Sequence, residues 1–187
     1  MNYESIIDFS KNDKNKIIPI VKTKNDISKI RFSPKIVEYV FREGYSKQDI
    51  SDIQEVENGY NFILSAGTIT SKKEIDYCLE NNIKIMFSPH LDEEIVKYCF
   101  ERGAVIIPGV FTATEIMKAY NMGVKIVKLF PYNFIPTNSL KSFLNVFNKL
   151  DIKFIVTGGV NKENYKEILS IKNVIFVGSS SITDILN

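Results

Sequence analysis

The sequence has no tryptophan, one histidine and two cysteines in 187 residues. Cys78 and Cys99 cannot build a disulfide framework, and with His90 they fall short of a four-ligand zinc site. Both sit in helix-like stretches and read as small buried thiols. Arginine is nearly missing: the 24 Lys+Arg residues include only Arg31, Arg42 and Arg102, so each is a candidate for work that lysine cannot do. Neither sign of charge dominates, since 22 Asp+Glu leave a net +2 and the signs are interspersed. That excludes a dedicated nucleic-acid binder, which gathers Lys and Arg on one face. No apolar run approaches the ~18 residues of a membrane span. The N-terminal stretch MNYESIIDFSKNDK carries acid early and has no apolar h-region, so no signal peptide is read. These absences set the expectation of a cytoplasmic protein with neither nucleic-acid nor membrane partners.

What is present is ordinary globular composition, 44% hydrophobic and 25% charged, in a chain sized for one domain over residues 1–187. Short Ile- and Val-rich runs recur at Lys16–Val21, Ile36–Phe41, Tyr60–Ser65, Ile83–Ser88, Ala104–Pro108, Lys125–Phe130, Ile152–Thr157 and Val174–Val177. Their nearly continuous apolar character is that of strands buried on both faces. Between them, helical spacing marks Ser71–Asn81, Asp92–Arg102, Thr112–Asn121, Asn138–Leu150 and Lys162–Leu169. A weak echo, Glu74-Ile75-x-Tyr77-Cys78 against Glu94-Ile95-x-x-Tyr98-Cys99, suggests one repeated unit. Strands alternating with helices predict βαβ units and a parallel sheet. Eight such pairs predict a compact (β/α)8 barrel, below the usual length of about 200 residues, with a shortened or irregular first βα unit. The competing architecture, an open doubly wound sheet, lacks a Gly-x-Gly-x-x-Gly after any strand.

Residues 25–58 are ambiguous. Asp26–Phe32 allows about two helical turns. Ser33-Pro34 can open a helix with Ile36, Val37, Val40 and Phe41 on one face; alternatively Ile36–Phe41 is the second strand and Lys47–Val56 the helix. Pattern alone leaves both open.

Barrel chemistry sits at the C-terminal strand ends. Those ends carry Ala66-Gly67-Thr68, Ser88-Pro89-His90, Pro108-Gly109, Lys128 followed by Phe130-Pro131, Thr157-Gly158-Gly159 and Gly178-Ser179-Ser180-Ser181. Lys128 lies between Val127 and Leu129, so strand alternation turns it to the opposite face, the barrel interior if those two meet the helices. A desolvated amine there can attack a carbonyl and form a Schiff base, whereas a lysine at a solvated tip would do nothing of the kind. The two glycine-bearing tips at the seventh and eighth strands suggest a phosphate site, with Ser179–Ser181 capping a last helix. His90, beside a proline, reads as a loop residue.

Taken together, these tips resemble the 2-keto-3-deoxy-6-phosphogluconate (KDPG) and 4-hydroxy-2-oxoglutarate (KHG) aldolase family. The matching motifs are Ala66-Gly67-Thr68, Phe87-Ser88-Pro89, Ile107-Pro108-Gly109-Val110 with Thr112-x-Thr114-Glu115, Lys128-x-Phe130-Pro131, Thr157-Gly158-Gly159-Val160 with Asn164-Tyr165, and Gly178-x-Ser180. The resemblance implies a class I aldolase on a (β/α)8 barrel, a homotrimer needing no metal and no cofactor. It makes Lys128 the Schiff-base lysine and places Thr68 on the pyruvate moiety. Thr157, Gly158, Gly159 and Ser180 become a phosphate cradle, and Pro89 and Phe130 join the substrate-binding set. The family's second strand carries Glu-x-Thr-x-Arg; here Glu38 and Arg42 keep that spacing, which makes Glu38 the general acid/base and Arg42 the carboxylate ligand, and favours the strand over the helix. The chain departs from the pattern at Val40, at His90 and across Tyr132-Asn133-Phe134-Ile135-Pro136.

The expected activity is reversible cleavage of a 2-keto-3-deoxy-6-phospho sugar acid or 4-hydroxy-2-oxoglutarate, giving pyruvate and an aldehyde such as glyceraldehyde 3-phosphate or glyoxylate. The substrate is a small keto acid, with a phosphorylated one preferred. A different class of reading is a phosphate-binding barrel without catalysis, or a phosphosugar isomerase. The binding-only reading expects Glu38 and Arg42 to be displaced and the site incomplete; the isomerase shares the phosphate tips but does not need Lys128 inside.

Overall fold

The computed structural model describes residues 1–41 and 61–186. Nine strand segments run in chain order: β1 (Ile17–Val21), β2 (Ile36–Val40), β3 (Ile63–Gly67), β4 (Ile85–Phe87), β5 (Val105–Ile107), β6 (Gly109–Val110), β7 (Ile126–Leu129), β8 (Lys153–Thr157) and β9 (Val174–Ser179). All pair in parallel, in the order β5-β4-β3-β2-β1-β9-β8-β7-β6. Only Pro108, which has no N–H to give a ladder, separates β5 from β6. They are two halves of one strand: the first bonds β4 and the second bonds β7. The sheet therefore closes on itself, and the architecture is the (β/α)8 barrel that the alternating pattern predicts.

The second strand settles the ambiguous stretch: Ile36–Val40 is fully buried and pairs with both β1 and β3. The expected helix over Lys47–Val56 lies outside the described residues. The third strand sits later than predicted, at Ile63–Gly67 rather than Tyr60–Ser65, because the small residues Ala66 and Gly67 continue the ladder with Tyr39 and Val40. The last strand likewise runs on to Ser179 instead of stopping at Val177.

The helices are α1 (Tyr3–Asn12), α2 (Lys24–Ile27), α3 (Lys72–Glu80), α4 (Glu93–Glu101), α5 (Ala113–Asn121), α6 (Thr137–Asn145) and α7 (Tyr165–Leu169). Capping fixes their starts. Ser71 Oγ accepts from Glu74 N while Glu74 Oε2 accepts from Ser71 N at 2.8 Å. Thr112 and Glu115 repeat this reciprocal box. Asp92 accepts from both Glu94 N and Ile95 N. The two turns expected over Asp26–Phe32 shrink to the single turn of α2, since the chain must leave the helix to enter β2. Asn138–Leu150 is helical only through Asn145, with turns beyond it, and the helix expected from Lys162 begins at Tyr165.

α1 is absent from the sequence reading. It buries Tyr3, Ile6 and Ser10, one side of a helix, and packs on β9. The Tyr3 hydroxyl donates to Ile106 O of β5 at 2.5 Å, so α1 reaches across the N-terminal end of the barrel. Desolvation, with a smaller contribution from Cys99, holds this phenol above its ordinary range. Phe87, Phe154 and Phe176, with isoleucines of β1, β2 and β4 and of the helices α1, α2 and α3, are among the largest fully buried side chains. Apolar filling of this kind leaves the other, C-terminal end for polar residues. Among the described residues, no helix is long and apolar enough to cross a membrane.

Candidate active site

Two charged side chains enter the barrel from nearly opposite strands. Lys128 of β7 is 7% exposed between Val127 and Leu129, which are wholly buried, and Glu38 of β2 is 2% exposed. Lys128 Nζ donates to Glu38 Oε1 at 2.8 Å. The ammonium also lies 5.3 Å from the Phe87 ring centroid and 5.5 Å from that of Phe130, whose faces favour a cation. Burying two charges is costly unless each finds its partner. Among the described residues the pair satisfies one carboxylate oxygen only: Glu38 Oε2 is buried with no hydrogen-bond partner there.

A cavity of ≈ 400 Å³ opens from this pair to the C-terminal face. Its wall includes Glu38, Thr68, Pro89, Lys128, Phe130, Thr157, Gly158, Gly159 and Ser180. Every sequence-predicted site residue is thus on one surface except Arg42, which lies outside the described residues. Thr157 is 1% exposed and its Oγ1 has no partner among the described residues, a second such atom on the cavity wall. A buried unpaired polar atom costs about 1–3 kcal/mol, and two on one wall mark a surface built for a polar ligand.

Local backbone explains how these residues are presented. Thr68 has φ 67°, a left-handed conformation that a β-branched residue adopts only under strain. The strand ladder resumes at once, with Ile69 N donating to Phe87 O at 2.9 Å, so the strain is confined to the residue that faces the cavity. Gly158 and Gly159 have φ 85° and 97°. Their turn folds onto the segment after β7, where Asn133 N donates to Gly158 O at 2.8 Å. A Cβ on Gly158 would come 3.0 Å from Phe130 Cδ2, so this glycine is required by the turn whatever binds beside it.

One expectation needs correction at the far end of the cavity. Ser179–Ser181 does not cap a regular helix; the chain makes turns there, with Ile185 N donating to Ser181 O. Ser179 Oγ donates to Val160 O and accepts from Ser181 N, which leaves the Ser180 and Ser181 hydroxyls for the cavity. Lys22, just past β1, lines the same wall. Its ammonium has no ion pair among the described residues. The sequence signal for Lys22 was present, a cation immediately after a strand, but nothing in the spacing linked it to residues some 160 positions away. Asp26 holds that tip, its Oδ2 accepting from Lys22 N and Thr23 N at 3.1 Å each. The Lys29 hydrogen bond, chiefly, keeps the Asp26 carboxyl down at about 2. His90 is exposed and off the cavity wall; its carbonyl accepts from Ser88 Oγ. The thiols are buried as expected, and desolvation pushes Cys99 up to about 12.

The family model for KDPG and KHG aldolase matches residues 9–186. The chain belongs to the KDPG and KHG aldolase family. A 2-dehydro-3-deoxy-phosphogluconate aldolase of Treponema pallidum is 27% identical over 146 residues, 78% of this chain and 68% of that protein. The enzyme of the same name from Dickeya dadantii is 31% identical over 119 residues, 63% of this chain; the match spans only 55% of that relative's length. Among solved structures, the Zymomonas mobilis 2-keto-3-deoxy-6-phospho-gluconate aldolase superposes with a TM-score of 0.81 at 21% identity, covering 96% of this chain and 86% of that one. The Legionella pneumophila KDPG aldolase, described with pyruvate captured as a covalent carbinolamine, gives 0.73 at 26% identity, covering 89% and 82%. Within this KDPG/KHG aldolase fold the direct Lys128–Glu38 contact disfavours the binding-only reading, which expects Glu38 to be displaced.

Proposed function

We propose that this chain is a class I aldolase that cleaves a 2-keto-3-deoxy-6-phospho sugar acid or 4-hydroxy-2-oxoglutarate, reversibly, to pyruvate and an aldehyde. The observation that carries the proposal is a buried lysine held 2.8 Å from a buried carboxylate at the floor of a cavity of ≈ 400 Å³. The names borne by the Treponema, Dickeya and Legionella relatives agree with it.

Lys128 Nζ, as the free amine, attacks the C2 carbonyl carbon of the keto acid. The carbinolamine loses water to give an iminium, which serves as an electron sink. Glu38 takes the C4 hydroxyl proton, directly or through one water. The C3–C4 bond breaks, its electron pair moves to C3 to form an enamine, and the aldehyde departs. Protonation of C3 and hydrolysis of the iminium release pyruvate and restore the amine. Thr68 and Arg42 hold the pyruvate carboxylate end, a task suited to a planar guanidinium fork. Pro89 and Phe130 shape the wall beside the reacting carbons, and the Thr157 hydroxyl offers a donor deep in the cavity. At the outer end Gly158, Gly159 and Ser180 receive the phosphate, with Lys22 supplying the charge. We also assign the chain to a homotrimer; sedimentation should give three times the 21.4 kDa chain mass.

The test is reduction with borohydride in the presence of pyruvate, followed by peptide mass analysis. The adduct is expected on Lys128 and absent from Lys128→Met. An unmodified Lys128 in the wild-type protein would end the Schiff-base assignment.

A further inference from the structure

We propose that Gly67 is a positioning residue: its missing side chain is what allows Glu38 to reach Lys128. The proposal rests on the aldolase reading above and extends it to a residue that touches neither substrate nor the reacting atoms.

Gly67 closes β3 opposite Val40, and its carbonyl accepts from Phe41 N at 3.4 Å. Its φ is not positive, unlike those of Gly103, Gly123, Gly158 and Gly159. Any residue could adopt this backbone, and glycine inside a strand weakens it. The reason for glycine therefore lies in space. A Cβ at this position would fall 2.5 Å from Glu38 Oε1, 2.9 Å from Glu38 Cγ and 3.1 Å from Glu38 Cδ. Those atoms run from the middle of the side chain to its end, so swinging the carboxylate alone does not relieve the overlap. The whole side chain must lift off β3. The floor beneath is fixed, because Ser65, the register partner of Glu38, is fully buried and donates to Val37 O at 2.8 Å. Lifting Glu38 breaks its 2.8 Å contact with Lys128 Nζ.

Gly67→Ala tests this, alone and in a Glu38→Gln background. A misplacement of about 1 Å costs on the order of 10²-fold. The expected result is a kcat lower by roughly 10–100-fold, with KM little changed and the pyruvate adduct on Lys128 still trapped by borohydride. In Glu38→Gln, adding Gly67→Ala should change kcat by less than about twofold, because residues acting through one contact are not additive. Near-wild-type turnover in Gly67→Ala, or an equal loss in both backgrounds, overturns the proposal. If Gly67→Ala fails to fold, Gly67→Ala/Glu38→Ala decides: removing Cγ and everything beyond it removes the overlap and should restore folding, and failure of that double variant, where Glu38→Ala alone folds, also overturns the proposal. The aldolase reading fails separately, by absence of the adduct in the wild-type protein.

Discussion

Glu38→Gln removes one charge from the barrel while changing almost no volume. The amide oxygen can still accept from Lys128 Nζ at the 2.8 Å now spanned by Oε1. Truncating one member of a buried ion pair costs about 3–5 kcal/mol, but with an acceptor retained the loss should be that of a weakened hydrogen bond, about 1–3 kcal/mol. Folding should survive. Turnover should not: a positioned general base contributes on the order of 10²–10⁴-fold, which at about 1.4 kcal/mol per decade is roughly 3–5 kcal/mol of barrier. The assay is pyruvate release from the keto acid, followed alongside borohydride trapping of pyruvate on Lys128 and the denaturant midpoint. Slow turnover with the adduct still formed is the expected pattern, because the amine remains while the proton acceptor is lost. Less than about tenfold loss in kcat would refute the role given to Glu38. Loss of the adduct together with turnover would show that Glu38 only holds the lysine in place.

Three further outcomes follow from the geometry. Lys22→Met should lower kcat/KM for a phosphorylated substrate by about 10–100-fold, the value of a charged hydrogen bond, and leave an unphosphorylated one unchanged; equal effects on both would remove Lys22 from the phosphate end. Tyr3→Phe strips the hydroxyl from Ile106 O and should cost about 1–2 kcal/mol in denaturant unfolding with kcat unaltered; a changed kcat would show that the two ends of the barrel communicate. Asp26, held at about 2 against its usual 3.8, lends stability that is present above pH 3.8 and lost as pH falls through about 2. For so solvent-exposed a pair that is at most about 1 kcal/mol. The gap between wild type and Asp26→Asn should therefore close on acidification, and a gap that stays constant would mean that the carboxylate is not its source.

Ordered strand tips were enough to collect Lys128, Thr68, Pro89, Phe130, Thr157, Gly158, Gly159 and Ser180 on one wall, because parallel strands in a barrel send all their C-terminal ends to one face, and the family resemblance added Glu38. The distance between Lys128 and Glu38 was not legible: it depends on the tilt that lays Glu38 across β3, and on the gap at Gly67 that admits it. Lys22 went unread for a similar reason, since only closure of β1 against β9 brings it to the Ser180 tip. The strand boundary at Gly67 was misplaced because small residues carry little apolar signal while their backbone bonds as well as any other. α1 was missed because its buried side, Tyr3, Ile6 and Ser10, mixes an aromatic, an aliphatic and a hydroxyl residue. The departures across Tyr132–Phe134 proved compatible with the fold, forming a single 3-10 turn whose Asn133 is tied to the Gly158 carbonyl.

An uninterrupted cylinder of strands has no preferred line of weakness; Pro108 gives this one a seam. Val105–Ile107 faces β4, Gly109–Val110 faces β7, and the bonds that stitch the line include Ser88 N to Ile107 O, Lys128 N to Pro108 O and Phe130 N to Val110 O. Sub-global opening concentrates where such stitches are few, so opening is expected to begin along the meridian that carries Lys128. Amide hydrogen exchange at Lys128 then serves as the gauge of that opening, and any ligand that spans from β7 to the far wall acts as a clasp across the seam.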